Sequence, residues 1–257
     1  MTRRTDTHRI DTRRTDTHRT DTHRTDTRRT DTRRTDTHPD LTRPEVGAAL
    51  FSTWHMGTPE RQQQAVEAIA HTWERRPWPA DDLLGYHVYT GHDGETLMHH
   101  SQWASESAYE AFVKTRRQER NDEIDTAVPD IERVALDRYR YYRGEERAAC
   151  DQRVPGLIVT VRIDFEPGAA ERRRDWIDLL LRTAPGPVAH RGLIAAHFHL
   201  STDGTHVLNY AEWETPQAYD KALTVPVDEE RERVRTYPGV RGFTGRRYDH
   251  ALGLVPQ

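Results

Sequence analysis

The chain has 257 residues, 34% of them hydrophobic and 31% charged, and a formal net charge of −4; that length suits one large domain or two small ones. The first forty residues hold eleven Arg and eight Asp, leaving −7 for the rest, and an acidic body excludes nucleic acid as the main partner because neutralising phosphates needs a basic face. A single cysteine, Cys150, excludes an internal disulfide and a thiolate zinc cluster, and with no apolar leader and no run of ~18 apolar residues the sequence predicts a cytoplasmic protein without a membrane segment.

From Thr5 to Pro39 the sequence is seven copies of a five-residue unit of the TDTHR or TDTRR type, with Ile10 as the only apolar residue in the copies. A period of five fits neither helix nor strand, and nothing is available to bury, so residues 1–40 are predicted to be a disordered tail. Two other readings stay open for it: sequence upstream of a true start near Leu41 to Val46, or an arm that binds phosphate or metal through Arg and His. The interleaved Asp residues cancel most of the arginine field.

The remainder reads as one unit written twice, over 41–146 and 152–257. Asp93-Gly94 stands ten residues before Trp103, and Asp203-Gly204 stands ten before Trp213; Tyr109 and Tyr219 each follow their tryptophan by six. Each unit opens with a β-rich stretch, GAALFSTW (47–54) or GLIVTVRI (156–163). A Pro near the first turn of a helix follows, Pro59 or Pro167, and an apolar helix face with Val66, Ile69 and Trp73, or Trp176, Ile177, Leu180 and Leu181. Pro77 and Pro79 end the first helix, APGP (184–187) the second.

Next comes a strand pair whose turn holds Asp-Gly, a good hairpin signal because glycine accepts positive φ. Ser105 and Thr215 are placed to cap a second helix. ERVALDRYRYY (132–142) and VRGFTGRRY (240–248) supply the last strands. The order β-α-β-β-α-β is the ferredoxin-like α+β unit. Its helices cover one sheet face only, so two tandem units are expected to cover each other sheet to sheet, as an intrachain pseudo-dimer. The stretch RGEERAACDQR (143–153) is the expected linker.

The segment FHLSTDGTHVLNYAEWETPQAYDKAL (198–223), with its DG turn, N-Y-x-x-W strand and Tyr-bearing helix, resembles the antibiotic biosynthesis monooxygenase family of the dimeric α+β barrel superfamily. The resemblance covers residues 46–250 as two copies. It implies a small oxygenase that needs no metal, flavin or haem and converts a phenolic aromatic polyketide of the anthrone or naphthacenone type to a quinone with O2. A cyclase or aromatase of the same fold, or a non-catalytic small-molecule binder, stays open, as does a homodimer of the pseudo-dimer.

The resemblance implies a site in the second copy. Asn209 would hold the oxyanion or peroxide, Trp213 would offer its indole N–H and a wall, and Tyr219 would steer the phenolic edge. His199 would be general base, with Arg233 carried over as a further catalytic residue. His197, Trp103, Tyr109 and His99 are candidates for substrate contact. In the first copy His99 replaces the Asn and Tyr89 replaces the His, so that copy is either a second, altered site or one kept for its fold. Plain packing competes at each of these positions: the tryptophans as plugs between sheet and helix, the tyrosines as helix-face core, His87 and His197 as shared buried polar residues. His99 and His100 are adjacent on a strand and point to opposite faces, so no metal pair is expected there. Haem chemistry is disfavoured, since neither second helix carries a histidine.

Overall fold

Two glycine turns set the pattern of the chain. Gly94 and Gly204 have φ of 75° and 82°, and each lets a strand fold straight back on its neighbour. The first joins β3 (Leu83–Gly91) to β4 (Thr96–Trp103), the second joins β7 (Leu193–Ser201) to β8 (His206–Trp213). The preceding aspartates brace the turns: Asp93 accepts the backbone N–H of Glu95 and Thr96, and Asp203 accepts that of Thr205. The computed structural model describes residues 31–145, 151–168, 170–183 and 192–257. Residues 1–30 of the repeat tract, the central part of the linker (146–150) and the APGP helix stop lie outside the described residues.

The other elements follow the predicted order. β2 (Ala48–His55) and β6 (Leu157–Phe165) pair antiparallel with β4 and β8. α1 (Pro59–Glu74) starts behind Thr58, whose side chain accepts the Arg61 N–H, with Pro59 in the first turn. α4 (Ala170–Thr183) is its counterpart. Ser105 and Thr215 cap α2 (Glu106–Thr115) and α5 (Pro216–Leu223) through the N–H of Ala108 and Ala218. In each unit the second helix is broken. Arg116 leaves helical geometry at φ −130° before α3 (Arg117–Ala127), and a connection containing Pro226, which has no N–H to donate, precedes α6 (Glu229–Arg235).

The largest departure from expectation lies in the last strands, β5 (Glu132–Glu145) and β9 (Val240–Pro256). β5 pairs with β2 up to Tyr139 and with β7 of the other unit from Tyr139 to Glu145. β9 pairs with β6 up to Tyr248 and with β3 of the other unit from Tyr248 to Leu254. Arg143, Gly144 and Glu145 are therefore strand rather than linker. The exchange closes a ring in the order β2-β5-β7-β8-β6-β9-β3-β4, which removes the open edges that a lone four-stranded sheet would leave.

Closure gives every strand an inner and an outer face. Phe51, Tyr89, Met98, Tyr139, Leu208 and Tyr210 pack together inside the barrel. Outside, Ile69, Trp73, Trp103 and Phe112 join helices to the first sheet, while Trp176, Ile177 and Phe198 do so in the second.

Residues 31–40, predicted as part of a disordered tail, are placed against the barrel. β1 (Thr32–Thr35) pairs antiparallel with Gly253–Pro256 of β9, where that strand has run past β6 and would otherwise show a bare edge. Thr and Arg side chains at 32–35 tolerate a solvated edge strand. Beyond it Leu41 is buried with the barrel interior, and Gln102 Nε2 donates to the Asp40 carbonyl at 2.7 Å. Two repeat units thus contribute to the barrel, through backbone pairing that needs no apolar face.

Candidate active site

On β4 the outward set is His99, Ser101 and Trp103; on β2 it is Leu50, Ser52 and Trp54, and Tyr86 joins them from β3 across the Ser101 register position. Together with α1, α2, α3 and the first half of β5 these residues enclose a cavity of ≈ 290 Å³ in the first unit. Trp54, Trp73, Tyr86, Trp103, Tyr109 and Phe112 make its walls, and the polar lining is His99, Ser52, Ser101, Asn121, Arg117, Arg120 and Arg133. An apolar, aromatic chamber with a few converging polar groups is the usual form of a small-molecule site.

Its chemistry centres on one pair. The Tyr86 hydroxyl lies 2.7 Å from His99 Nδ1, and both residues are buried. His99 Nε2 is buried with no hydrogen-bond partner. Burial, helped by the nearby Arg133 charge, holds His99 down to about 3, so the imidazole is neutral at physiological pH. Burial likewise pushes the Tyr86 phenol up, out of range of ionisation. Trp103 Nε1 donates to Ser101 Oγ at 3.0 Å, and the Trp103 ring meets Tyr109 edge-on with centroids 5.5 Å apart. Arg133 stacks 4.6 Å over Trp54, Arg120 4.9 Å over Trp73.

The sequence-predicted residues divide between four places. His99, Trp103 and Tyr109 come together in this cavity. Asn209, Trp213 and Tyr219 share the helix-facing side of the second unit, where the Trp213 and Tyr219 rings stand 5.2 Å apart and the Asn209 Oδ1 is buried without a hydrogen-bond partner. His199 and His197 do not join them. Asn209 pairs with Phe198, so His199, one residue on, points to the opposite face. It lies inside the barrel, 5.7 Å from Phe51 and 5.6 Å from Tyr141. There burial and His197 hold it down to about 3, which leaves no general base beside Asn209. Arg233 is exposed on α6, next to Asp178 and Arg182 of α4, and is likewise outside any constellation with Asn209.

At three matching register positions the second unit has apolar groups where the first has polar ones, while Asn209 stands for His99. Tyr86 and Ser101 form one cross-strand pair; Ala196 and Ala211 form the corresponding one. Trp54 stands opposite Arg133, whereas Ile163 stands opposite Phe243. Trp176 fills toward Phe198 and Phe243, with centroid distances of 6.4 and 6.2 Å.

Comparison with known proteins gives the same two levels, motif and fold. The Tetracenomycin-F1 monooxygenase of Streptomyces glaucescens is 40% identical over 48 residues, which is 18% of this chain and 43% of that protein. An anthrone oxidase-like protein superposes with a TM-score of 0.59 at 17% identity, over 80% of this chain and 92% of its own. The chain is thus similar to a known monooxygenase over one short stretch, and over most of its length it shares the fold of the anthrone oxidase-like protein. A monooxygenase candidate from Lactobacillus acidophilus NCFM shares the fold, with a TM-score of 0.53 at 8% identity over 82% of this chain and 97% of its own. Matches over four-fifths of the chain must run through both units, so the tandem arrangement is part of the shared fold. The matched stretch is under half the length of the Streptomyces relative, and no family model matches the chain.

Sequence reasoning missed Tyr86, Trp54, Trp73, Arg117, Arg120 and Arg133 as neighbours of His99. The signal was present for Tyr86: the DG turn fixes the β3–β4 register, which sets Tyr86 opposite Ser101 and on the His99 face. The arginines come from α3 and β5, and only the three-dimensional packing brings them there.

Proposed function

We propose that the first unit's cavity is a cofactor-independent monooxygenase site that oxidises an electron-rich phenolic aromatic, of the anthrone or naphthacenone type, to a quinone. The carrying observation is the buried, partnerless Nε2 of His99 in a chamber walled by aromatic rings. We assign the tautomer in which the Tyr86 hydroxyl, 2.7 Å from Nδ1, donates to it, so that the neutral imidazole keeps its proton on Nε2 and presents an N–H donor. That donor takes the role which the family resemblance gives to an asparagine: it holds the substrate oxygen as negative charge develops there.

The reaction balances without a further reductant. The anthrone loses its C–H proton to water, and its carbanion passes two electrons to O2 as a C–O bond forms. The resulting hydroperoxide takes up a proton, loses its remaining C–H proton and breaks its O–O bond to release water, leaving one oxygen atom as the new quinone carbonyl. Trp54, Trp73 and Trp103 hold the ring system and surround the donor with apolar surface, so it acts in a low-dielectric environment.

The test is oxygen uptake by the full chain with 1,8-dihydroxyanthrone, scored against quinone formed. One O2 consumed and one quinone produced per anthrone supports the oxygenase. Anaerobic conversion would point to a cyclase, and saturable binding without oxygen uptake to a binder; either overturns the reading.

A further inference from the structure

The same cavity holds more positive charge than the oxidation of a phenol uses. Its lining contains three arginines, Arg117, Arg120 and Arg133, and no Asp or Glu. Arg133 is neutralised from outside by Asp125 at 2.8 Å. Arg120 is buried and spends its terminal nitrogens on the carbonyls of Arg116 and Pro77, and no carboxylate pairs with it. Arg117 has no ion-pair or hydrogen-bond partner among the described residues. Two further donors, Arg120 Nε and Arg133 Nε, are buried without a partner, which costs stability in the empty state unless a ligand accepts from them. Arg117 is also the first residue of α3, whose N-terminus has no side-chain cap, so its amides add positive potential at that wall.

The second unit does not repeat this arrangement. Phe243 occupies the register position of Arg133, and at the spacing of 110 residues that relates Trp103 to Trp213, Val227 and Glu230 stand for Arg117 and Arg120. The charge is therefore particular to the chamber that holds His99, rather than general to the fold.

We infer that the substrate of the first-unit cavity is an aromatic carboxylic acid, with Arg117 as the residue that selects for its carboxylate. The planar guanidinium fork matches a carboxylate and pairs with it more strongly than with a neutral oxygen. With the ring system among the tryptophans and the carboxylate at the α3 end, the acid group also fixes which edge of the ring reaches His99. Arg120, held over Trp73 with no carboxylate partner, acts as a positioning residue that raises the potential at the carboxylate end, while the neutralised Arg133 stacks over Trp54 and shapes the wall.

This inference rests on the cavity being the substrate site, so its test measures binding and not turnover. The probes are anthraquinone-2-carboxylate and its neutral isostere anthraquinone-2-carboxamide, titrated against the full chain by quenching of tryptophan fluorescence. The carboxylate is expected to bind at least ~10-fold more tightly, the size of one charge-assisted hydrogen bond, with the difference shrinking at high salt. In Arg117→Gln the preference should fall to about twofold while the carboxamide affinity and the thermal melt stay as in the parent, a change that a purely structural arginine would not produce. Equal affinities in the parent, an unchanged preference in Arg117→Gln, or binding of neither probe overturns the inference. A cavity that prefers the acid but consumes no oxygen would instead sink the oxygenase reading and leave this one standing.

Discussion

The two helix-side chambers share one pattern of strands, turns and caps, yet they differ in what faces inward. The first has Tyr86, His99, Ser101 and Arg133 where the second has Ala196, Asn209, Ala211 and Phe243. Trp103 and Tyr109 in one, and Trp213 and Tyr219 in the other, keep nearly the same edge-on geometry. What the units hold in common therefore serves the joint between sheet and helix, and the site proposed above is built from what they do not share. A repeated tryptophan is weak evidence for a site, whereas a polar group present in one copy and replaced by alanine in the other is much stronger.

Acid unfolding gives the largest effect by which that contrast can be sharpened. Burial holds His87, His99 and His199 down to about 3 and His250 down to about 4. Each is neutral when folded and takes up a proton on unfolding below its ordinary value of ~6.5, so stability is full above that pH and falls as pH drops toward the folded values. Four such groups lose roughly 5 kcal/mol per pH unit between about pH 6 and 4, an appreciable share of a typical domain's ~5–15 kcal/mol. Urea denaturation across that range should show the slope. His99→Asn, which gives the first chamber the second chamber's residue, should reduce it by about 1.4 kcal/mol per pH unit. A flat profile, or no change in slope for this variant, would mean that His99 is not the buried neutral group described.

The N-terminal segment is the other source of asymmetry, and its removal is expected to have a smaller effect. Thr32 donates to the Arg76 carbonyl, Arg34 pairs with Glu74, and Gln102 reaches Asp40, all on first-unit residues. A chain starting at Thr42 should lose about 2–5 kcal/mol relative to one starting at Asp31, mostly from burial of Leu41 and the β1 pairing. Chemical denaturation of the two truncated chains checks this, and equal midpoints would return β1 to the status of a tail.

Much of this architecture is legible in the sequence. The DG turns, the tryptophan spacing and the Ser105 and Thr215 caps yield the element order, because each is set by local geometry. What is not legible depends on pairing partners. Nothing local marks Tyr139 and Tyr248 as the points where β5 and β9 pass to the other unit, and Thr32–Thr35 has no apolar pattern to announce a strand. A spacing of ten suggests His199 as a companion of Asn209, but the hairpin register makes the relation between them odd, and odd offsets in a hairpin separate side chains to opposite faces. Applied to the first hairpin, the same arithmetic sets Tyr86, His99, Ser101 and Trp103 on one face.

The central claim, that chemistry belongs to the first unit, is tested most directly by one pair of variants in the oxygen-uptake assay with 1,8-dihydroxyanthrone, each confirmed folded by its thermal melt. His99→Ala removes the donor to the developing oxyanion and should lower kcat by roughly 10²–10³-fold, the loss typical of a single oxyanion donor. Asn209→Ala should leave kcat within about twofold. The reverse result, with turnover lost in Asn209→Ala and kept in His99→Ala, would put the active site in the second unit and contradict this account.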